Sequence, residues 1–243
     1  TTDVGEAWAL ASAAAASDRI YMVNNSANFR RQASQIREMI RGGAIGKLRY
    51  VSAYLGTALL WLFEDPEQVG WNKPSGTMLG NGFAWGQMSH LFAWVYYVTD
   101  LVPKSVFCQM VASEKTGADI FDAATIRCTN GATISAQGLA SLPFVSYEKT
   151  PKQIDNRIFG TEGHLTYGGL DGAGTDDDVA TGGIEVHRHD GKDTNIPGFL
   201  FENYHSGGIG PESLRAFIGG CLGRPFANGA DATVGLRAVQ TIE

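Results

Sequence analysis

The chain has 243 residues, 44% hydrophobic and 18% charged, enough apolar surface to offset chain entropy in one large domain, or one domain and part of another. A net charge of -6 argues against nucleic acid as a partner, and no apolar run approaches the ~18 residues that cross a bilayer. The longest candidate, Leu55 to Phe63, stops at Glu64-Asp65.

Glycine is in excess, 31 residues of 243 against a usual ~7%, which implies many turns and close backbone approaches. Cys108, Cys128 and Cys221 are odd in number and far apart, so they form neither a metal motif nor a disulfide framework. A reducing, cytoplasmic setting is the expectation. The sequence opens Thr-Thr-Asp with no signal segment, and its natural N-terminus is expected to lie upstream.

Asp3 and Glu6 have the spacing of a capping box, and the alanine-rich run behind them predicts a helix from about residue 3 to 16. Ile20 to Val23 reads as a buried strand, broken by Asn24-Asn25-Ser26. Phe29, Ala33, Ile36, Met39 and Ile40 then recur at helical spacing until Gly42-Gly43. Leu48 to Tyr54 alternates as a long strand, and a Trp-, Gly- and Pro-rich loop is expected from Trp61 to about Asn81. Phe83 to Val98 is the most apolar helix in the chain.

Strands are expected at Ser105 to Ala112, Asp122 to Thr129, Thr133 to Leu139, Asn156 to Phe159, His164 to Tyr167 and Ile184 to Arg188. Asn130-Gly131 marks a hairpin turn, and the glycine- and aspartate-rich stretch from Gly168 to Gly183 reads as an exposed loop. Cys108 and Cys128 fall within strands and are expected as small buried hydrophobes. Pro211 opens a helix whose apolar stripe is Leu214, Phe217, Ile218 and Cys221 or Leu222, and a last helix starts near Ala232. This order predicts an α+β architecture, a mostly antiparallel open sheet with helices on one face.

Four landmarks then carry a family resemblance. Ile36-Arg37-Glu38-Met39-Ile40-Arg41-Gly42-Gly43-Ala44-Ile45-Gly46-Lys47-Leu48 is the first. Trp71-Asn72-Lys73-Pro74-Ser75-Gly76 leading to Ser89-His90 is the second. Phe159-Gly160-Thr161-Glu162-Gly163 and Ser213-Leu214-Arg215-Ala216-Phe217 through Arg224-Pro225 complete the set. In this order they resemble the glucose-fructose oxidoreductase, inositol dehydrogenase and MocA family.

The resemblance implies a GAPDH-like C-terminal domain at 29–243, with 1–28 the tail end of a dinucleotide-binding Rossmann domain. It further implies NAD or NADP as cofactor in the full-length protein, and hydride transfer to or from a sugar, cyclitol or related hydroxyl compound. The family's Gly-x-Gly-x-x-Gly turn and Glu-Lys-Pro motif are both absent from this sequence. A homodimer or homotetramer through the open sheet face is expected as well, since several outward strand positions are apolar. The alternative is a non-catalytic module that binds a carbohydrate-like ligand or assembles.

By spacing alone, His90 is a core histidine on the apolar helix. By resemblance it faces the nicotinamide and takes or relays the proton of the substrate hydroxyl. Relatives commonly carry an aspartate four residues earlier, where this chain has Gly86. Lys73 and Asn72 can hydrogen-bond a sugar hydroxyl or carboxylate while Trp71 stacks on the ring, and Asn81, Trp85 and Gln87 flank the same helix entrance. His205 is placed in the substrate cleft by the resemblance. Asn28 stands where relatives often have an arginine near the cofactor, which gives it a cofactor-binding assignment. His187 and His189 lie two apart on a predicted strand, a wet face rather than a metal site, and no metal is expected.

Overall fold

The computed structural model describes residues 1–74, 81–143, 152–171, 180–199 and 212–243. Helix α1 (Val4–Ala15) opens on the expected cap, Asp3 Oδ1 accepting from Glu6 N at 2.7 Å. The reciprocal half of the box takes another form: Glu6 accepts from the Thr1 hydroxyl. A 3-10 turn at Ser26–Phe29 leads into α2 (Arg31–Arg41), then β1 (Leu48–Thr57), α3 (Leu60–Glu64) and α4 (Val69–Asn72). A π-helical turn at Ala84–Met88 runs directly into α5 (Ser89–Thr99).

Among the described residues, eight strands make one sheet: β1, β2 (Pro103–Ala112), β3 (Asp119–Cys128), β4 (Thr133–Leu139), β5 (Lys152–Gly160), β6 (Gly163–Asp171), β7 (Ala180–Arg188) and β8 (Thr194–Phe199). Helices α6 (Glu212–Cys221) and α7 (Ala232–Ile242) follow. The strand order is β2-β3-β4-β1-β5-β6-β7-β8, and every neighbouring pair is antiparallel except β1 with β4. The α+β class and the open, mostly antiparallel sheet are as the sequence predicts.

Alternation decides which face is covered. In β3, Asp122, Ala124, Ile126 and Cys128 are buried while Phe121, Ala123, Thr125 and Arg127 are exposed. The buried set faces the helical layer, with α5 at its centre. That helix is apolar on all sides, and Leu91 through Val98 are all buried. It ends at Asp100, a left-handed residue (φ 58°) that accepts from Arg37 and Arg41 of α2 at 2.9 Å each. On its other flank, Tyr96 shares a hydrogen bond of 2.5 Å with Thr241 of α7. No helix among the described residues is long and apolar enough to cross a membrane.

Several sequence expectations need correction. Ile20 to Val23 is extended but not a strand: Val23 N donates to Ala230 O and Asn228 Nδ2 donates to Tyr21 O, single bonds with no strand ladder among the described residues. The predicted loop after Trp61 contains α3 and α4, because its apolar residues Leu62 and Phe63 reach the core. The ends of the predicted loop Gly168 to Gly183 belong to β6 and β7. Glycine there is steric: a Cβ at Gly182 would lie 1.9 Å from the Gly168 carbonyl oxygen. β8 carries Pro197 and Gly198, which hide it from any strand pattern. Cys108 is exposed, because β2 is an edge strand whose residues from Lys104 to Ala112 are all exposed. Leu214 and Ile218 of α6 and Leu222 just after it are likewise exposed, at 57%, 48% and 62%.

Candidate active site

The entrance to α5 is built by a carboxylate and a glycine. Asp119, at the start of β3, accepts from Ala84 N at 2.6 Å and so satisfies a first-turn amide of the helix that carries His90. Gly82 makes the approach possible. Its φ is +133°, and a Cβ there would meet Asp119 Oδ1 at 1.9 Å. The π turn that follows contains one residue more than an α-turn, which rotates everything after it by roughly 100° about the axis. Ser89 uses its hydroxyl on Trp85 O at 2.7 Å.

Asp119 has a second neighbour. Asp122 is buried on the covered face of β3, and its carboxyl is held well above the usual carboxylate range, by burial first and by the nearby Asp119 second.

His90 emerges into a cavity of about 420 Å³ that it shares with Trp71, Asn81, Trp85 and Ser89. The opposite wall comes from α1 and α7, through Leu10, Leu236 and Val239, and from the extended segment through Tyr21 and Asn25. Gly86, in the π turn, lines the cavity on the His90 side. A Cβ there would touch Phe63 Cζ at 3.4 Å and the six-membered ring of Trp71 at 3.5 Å, so the indole packs over the bare backbone where a side chain would project.

Behind His90 is a narrow chamber of about 20 Å³ whose lining includes Leu55, Leu91, Trp94 and Ile154 together with Arg30, Asn156 and Tyr167. Arg30 is buried beside Tyr167. Burial pushes the Tyr167 hydroxyl up, and the Arg30 guanidinium acts in the opposite sense. Tyr167 stacks on Trp94, one turn after His90, with centroids 5.2 Å apart. The imidazole therefore stands between a roomy cavity and a narrow, mainly apolar chamber.

Of the residues singled out by sequence, the structure brings Trp71, Asn81, Trp85 and His90 together. Asn81 also ties down its own loop, donating to Gly70 O at 2.6 Å and accepting from Gly82 N at 3.0 Å. Asn72 is buried, and its amide donates to Asp65 O at 2.5 Å, which links α4 back to α3. Lys73 is exposed outside the lining, with its carbonyl 3.4 Å from Asn81 Nδ2. Gln87 sits in the π turn outside the lining. Asn28 is elsewhere: it is buried, and its amide donates to Ala93 O at 3.1 Å and Gly229 O at 2.8 Å. His205 falls outside the described residues.

Sequence reasoning missed the wall from α1 and α7. Nothing in their apolar patterns distinguishes a residue that lines a cavity from one that fills a core.

His187 is engaged by acids, Nδ1 lying 3.0 Å from Asp193 and Nε2 3.5 Å from Glu185, and these contacts, Asp193 first, raise its pKa. Among the described residues, no group of three or more His, Cys, Asp and Glu side chains could hold a metal ion.

A model of the GFO/IDH/MocA C-terminal domain matches residues 33–166. No protein of curated function matches the sequence. Solved structures match nearly the whole chain at low identity. An oxidoreductase from Sinorhizobium meliloti superposes with a TM-score of 0.66 at 15% identity, over 99% of this chain and 65% of its own. An oxidoreductase from Agrobacterium radiobacter in complex with NAD+, L-tartaric acid and magnesium gives 0.65 at 13%, over 99% of this chain and 66% of its own. A UDP-N-acetylglucosamine 3-dehydrogenase from Acidithiobacillus ferrooxidans gives 0.64 at 16%, over 99% of this chain and 64% of its own. The chain thus spans about two thirds of the length of the structures it resembles, and at these identities the likeness concerns the fold. The domain match covers more than half of the sequence, and on it the chain belongs to the GFO/IDH/MocA family.

Proposed function

We propose that this chain is the substrate-binding and oligomerising part of an NAD(P)-dependent oxidoreductase acting on a sugar, cyclitol or related hydroxyl compound. In this reading residues 1–28 are the tail of the dinucleotide-binding domain. The observation that carries the proposal is the meeting of one imidazole, His90, with two indoles, Trp71 and Trp85, in one cavity at the entrance of α5.

The fit to a nicotinamide cofactor is to its ring end alone. About 420 Å³ has room for a nicotinamide ring beside a small polyol, and the indoles offer flat apolar faces. The pyrophosphate finds no glycine-rich turn opening a helix in this sequence. When bound, the nicotinamide supplies the acceptor or donor for the hydride.

The chain's own residues handle the rest. As a hydride leaves carbon, the hydroxyl proton must go elsewhere, and a ring nitrogen of His90 takes it; in the reverse direction the same nitrogen returns it. Trp71, packed over Gly86, holds the sugar face. Asn72 and Asn81 fix the loop that presents Trp71, and Lys73 stands at its rim.

The test is nicotinamide absorbance in the intact gene product with a panel of polyols. His90→Ala should slow hydride transfer by about two orders of magnitude or more while the circular dichroism spectrum stays the same. An undiminished rate would remove the role of His90, and no hydride transfer by the intact protein with any polyol would leave the non-catalytic module.

A further inference from the structure

A second cavity of about 390 Å³ opens on the other side of the Ser26–Phe29 turn, outside the His90 cleft. That turn partitions the two: Asn25 lines the first cavity and Asn28 the second. Along α5 the second cavity is reached at Tyr97, seven residues beyond His90 or roughly 10 Å along the helix axis. Its volume lies in the range of small-molecule pockets.

Its lining is chemically mixed and basic. Arg215 of α6 and Arg224 of the following loop supply two guanidiniums, against one carboxylate, Glu212, which pairs with Arg215. Arg224 is placed by the backbone: after α6 the chain reverses at Gly223, and Arg224 N donates to Gly219 O at 2.9 Å. Arg37, whose guanidinium stacks 4.7 Å above the Tyr97 ring, adds positive charge behind the wall, tempered by Asp100. The hydroxyls of Ser34 and Tyr97, 3.4 Å apart, face each other weakly. Asn28 is 1% exposed; its nitrogen is committed to two carbonyls, and its Oδ1 has no partner. Phe29 and Phe226 complete the lining with apolar faces.

We propose that this cavity binds a small polyhydroxylated anion, a phosphorylated or carboxylated sugar, as a site separate from the His90 cleft. The guanidiniums of Arg224 and Arg215 hold the anionic group, where bidentate geometry favours arginine over lysine. Ligand hydroxyls bond Ser34 and Tyr97, and the aromatic rings cover the C–H face of the sugar. The site rests on no reading of the catalytic cleft. Asn25, which lines the first cavity, immediately precedes the turn that carries Asn28 and Phe29, and Ser213 of α6 donates to the neighbouring Asn24 Oδ1 at 2.8 Å.

The test is calorimetric titration of this chain with glucose 6-phosphate as probe, beside glucose and inorganic phosphate. Arg224→Ala, at an exposed position, should weaken glucose 6-phosphate by about tenfold and Arg224→Glu by more, whereas His90→Ala and Trp85→Ala should leave it within about twofold. Glucose and phosphate should each bind at least about tenfold more weakly than the ester. No heat with the ester would overturn the proposal. So would loss of binding in the His90 and Trp85 variants with none in Arg224→Ala, because the probe would then occupy the catalytic cleft. The failure of hydride transfer in the intact protein would leave all of these outcomes readable.

Discussion

Asp122 is the residue whose chemistry is most at odds with its surroundings, a carboxyl on the covered face of a strand beside a second carboxyl that caps the π turn. Its folded pKa is raised, by burial first and Asp119 second, above the ~3.9 of an unfolded aspartate. The sign follows from linkage. Below about pH 4 the group is protonated in both states and costs nothing; as pH rises through the interval up to the folded value, the unfolded state releases its proton first, and stability falls. Asp122→Asn keeps the shape and cannot ionise. Its melting temperature should therefore exceed that of the parent at pH 8 and the difference should shrink at pH 5, read by thermal unfolding at both values. Equal differences at the two pH values would show that Asp122 titrates as an ordinary exposed carboxyl. Titratable neighbours on the adjoining strand include Cys108, whose own thiol is pushed up by burial first and then by Asp122. None of this was legible in the sequence, because Asp122 reads there as the polar member of an alternating strand. His90 was legible only through the order of four motifs; its spacing alone places it in a core.

At the scale of elements, the cavity depends on helices that are far apart in sequence. α7 lies against α5 through the Tyr96 to Thr241 bond and presents Leu236 and Val239 to the cavity, so its first turn sets one wall of the site. That turn is capped by Asp231, which accepts from Val234 N at 2.9 Å. Asp231→Ala should cost about 1 kcal/mol of stability in denaturant unfolding, and Asp231→Ser should restore most of it. A loss in both variants alike would assign the effect to something other than the cap. Helices with clear caps and periodic apolar faces, α1 and α7 among them, were readable because their signals are local. α6 forms where its pattern predicts, yet Leu214, Ile218 and Leu222 of its apolar stripe face outward. Periodicity reports that a helix has an apolar face, not what covers it. β8 was missed because its proline and glycine suppress strand propensity, while pairing to β7 supplies the order that propensity lacks.

At the scale of the molecule, the open face of the sheet is divided. Toward β6 and β7 it is polar, with His164 and His187 rings 5.2 Å apart and Glu185 and Asp193 beside them. Toward β2 and β3 it is apolar, with Phe107, Val111 and Phe121 exposed at 69%, 57% and 37%. Their register pairs Phe107 with Thr125 and Val111 with Phe121, which puts all three on the same side. β2 is moreover an edge strand, and from Ser105 to Ala112 it carries no charge to discourage pairing. An apolar patch at one end of a sheet, bounded by polar strands, fits a second copy of the chain related by a two-fold axis. The proposed homo-oligomer is therefore centred on β2 and β3 and not on β7 and β8. Light scattering at micromolar concentration should return a dimer or tetramer for the parent. Phe107→Glu with Val111→Glu should shift it toward monomer, since the two carboxylates would be desolvated on association, while Glu185→Lys on the polar end should leave the mass unchanged. A parent that is strictly monomeric at that concentration would sink the interface, and a monomer produced by Glu185→Lys alone would move it to the opposite end of the sheet.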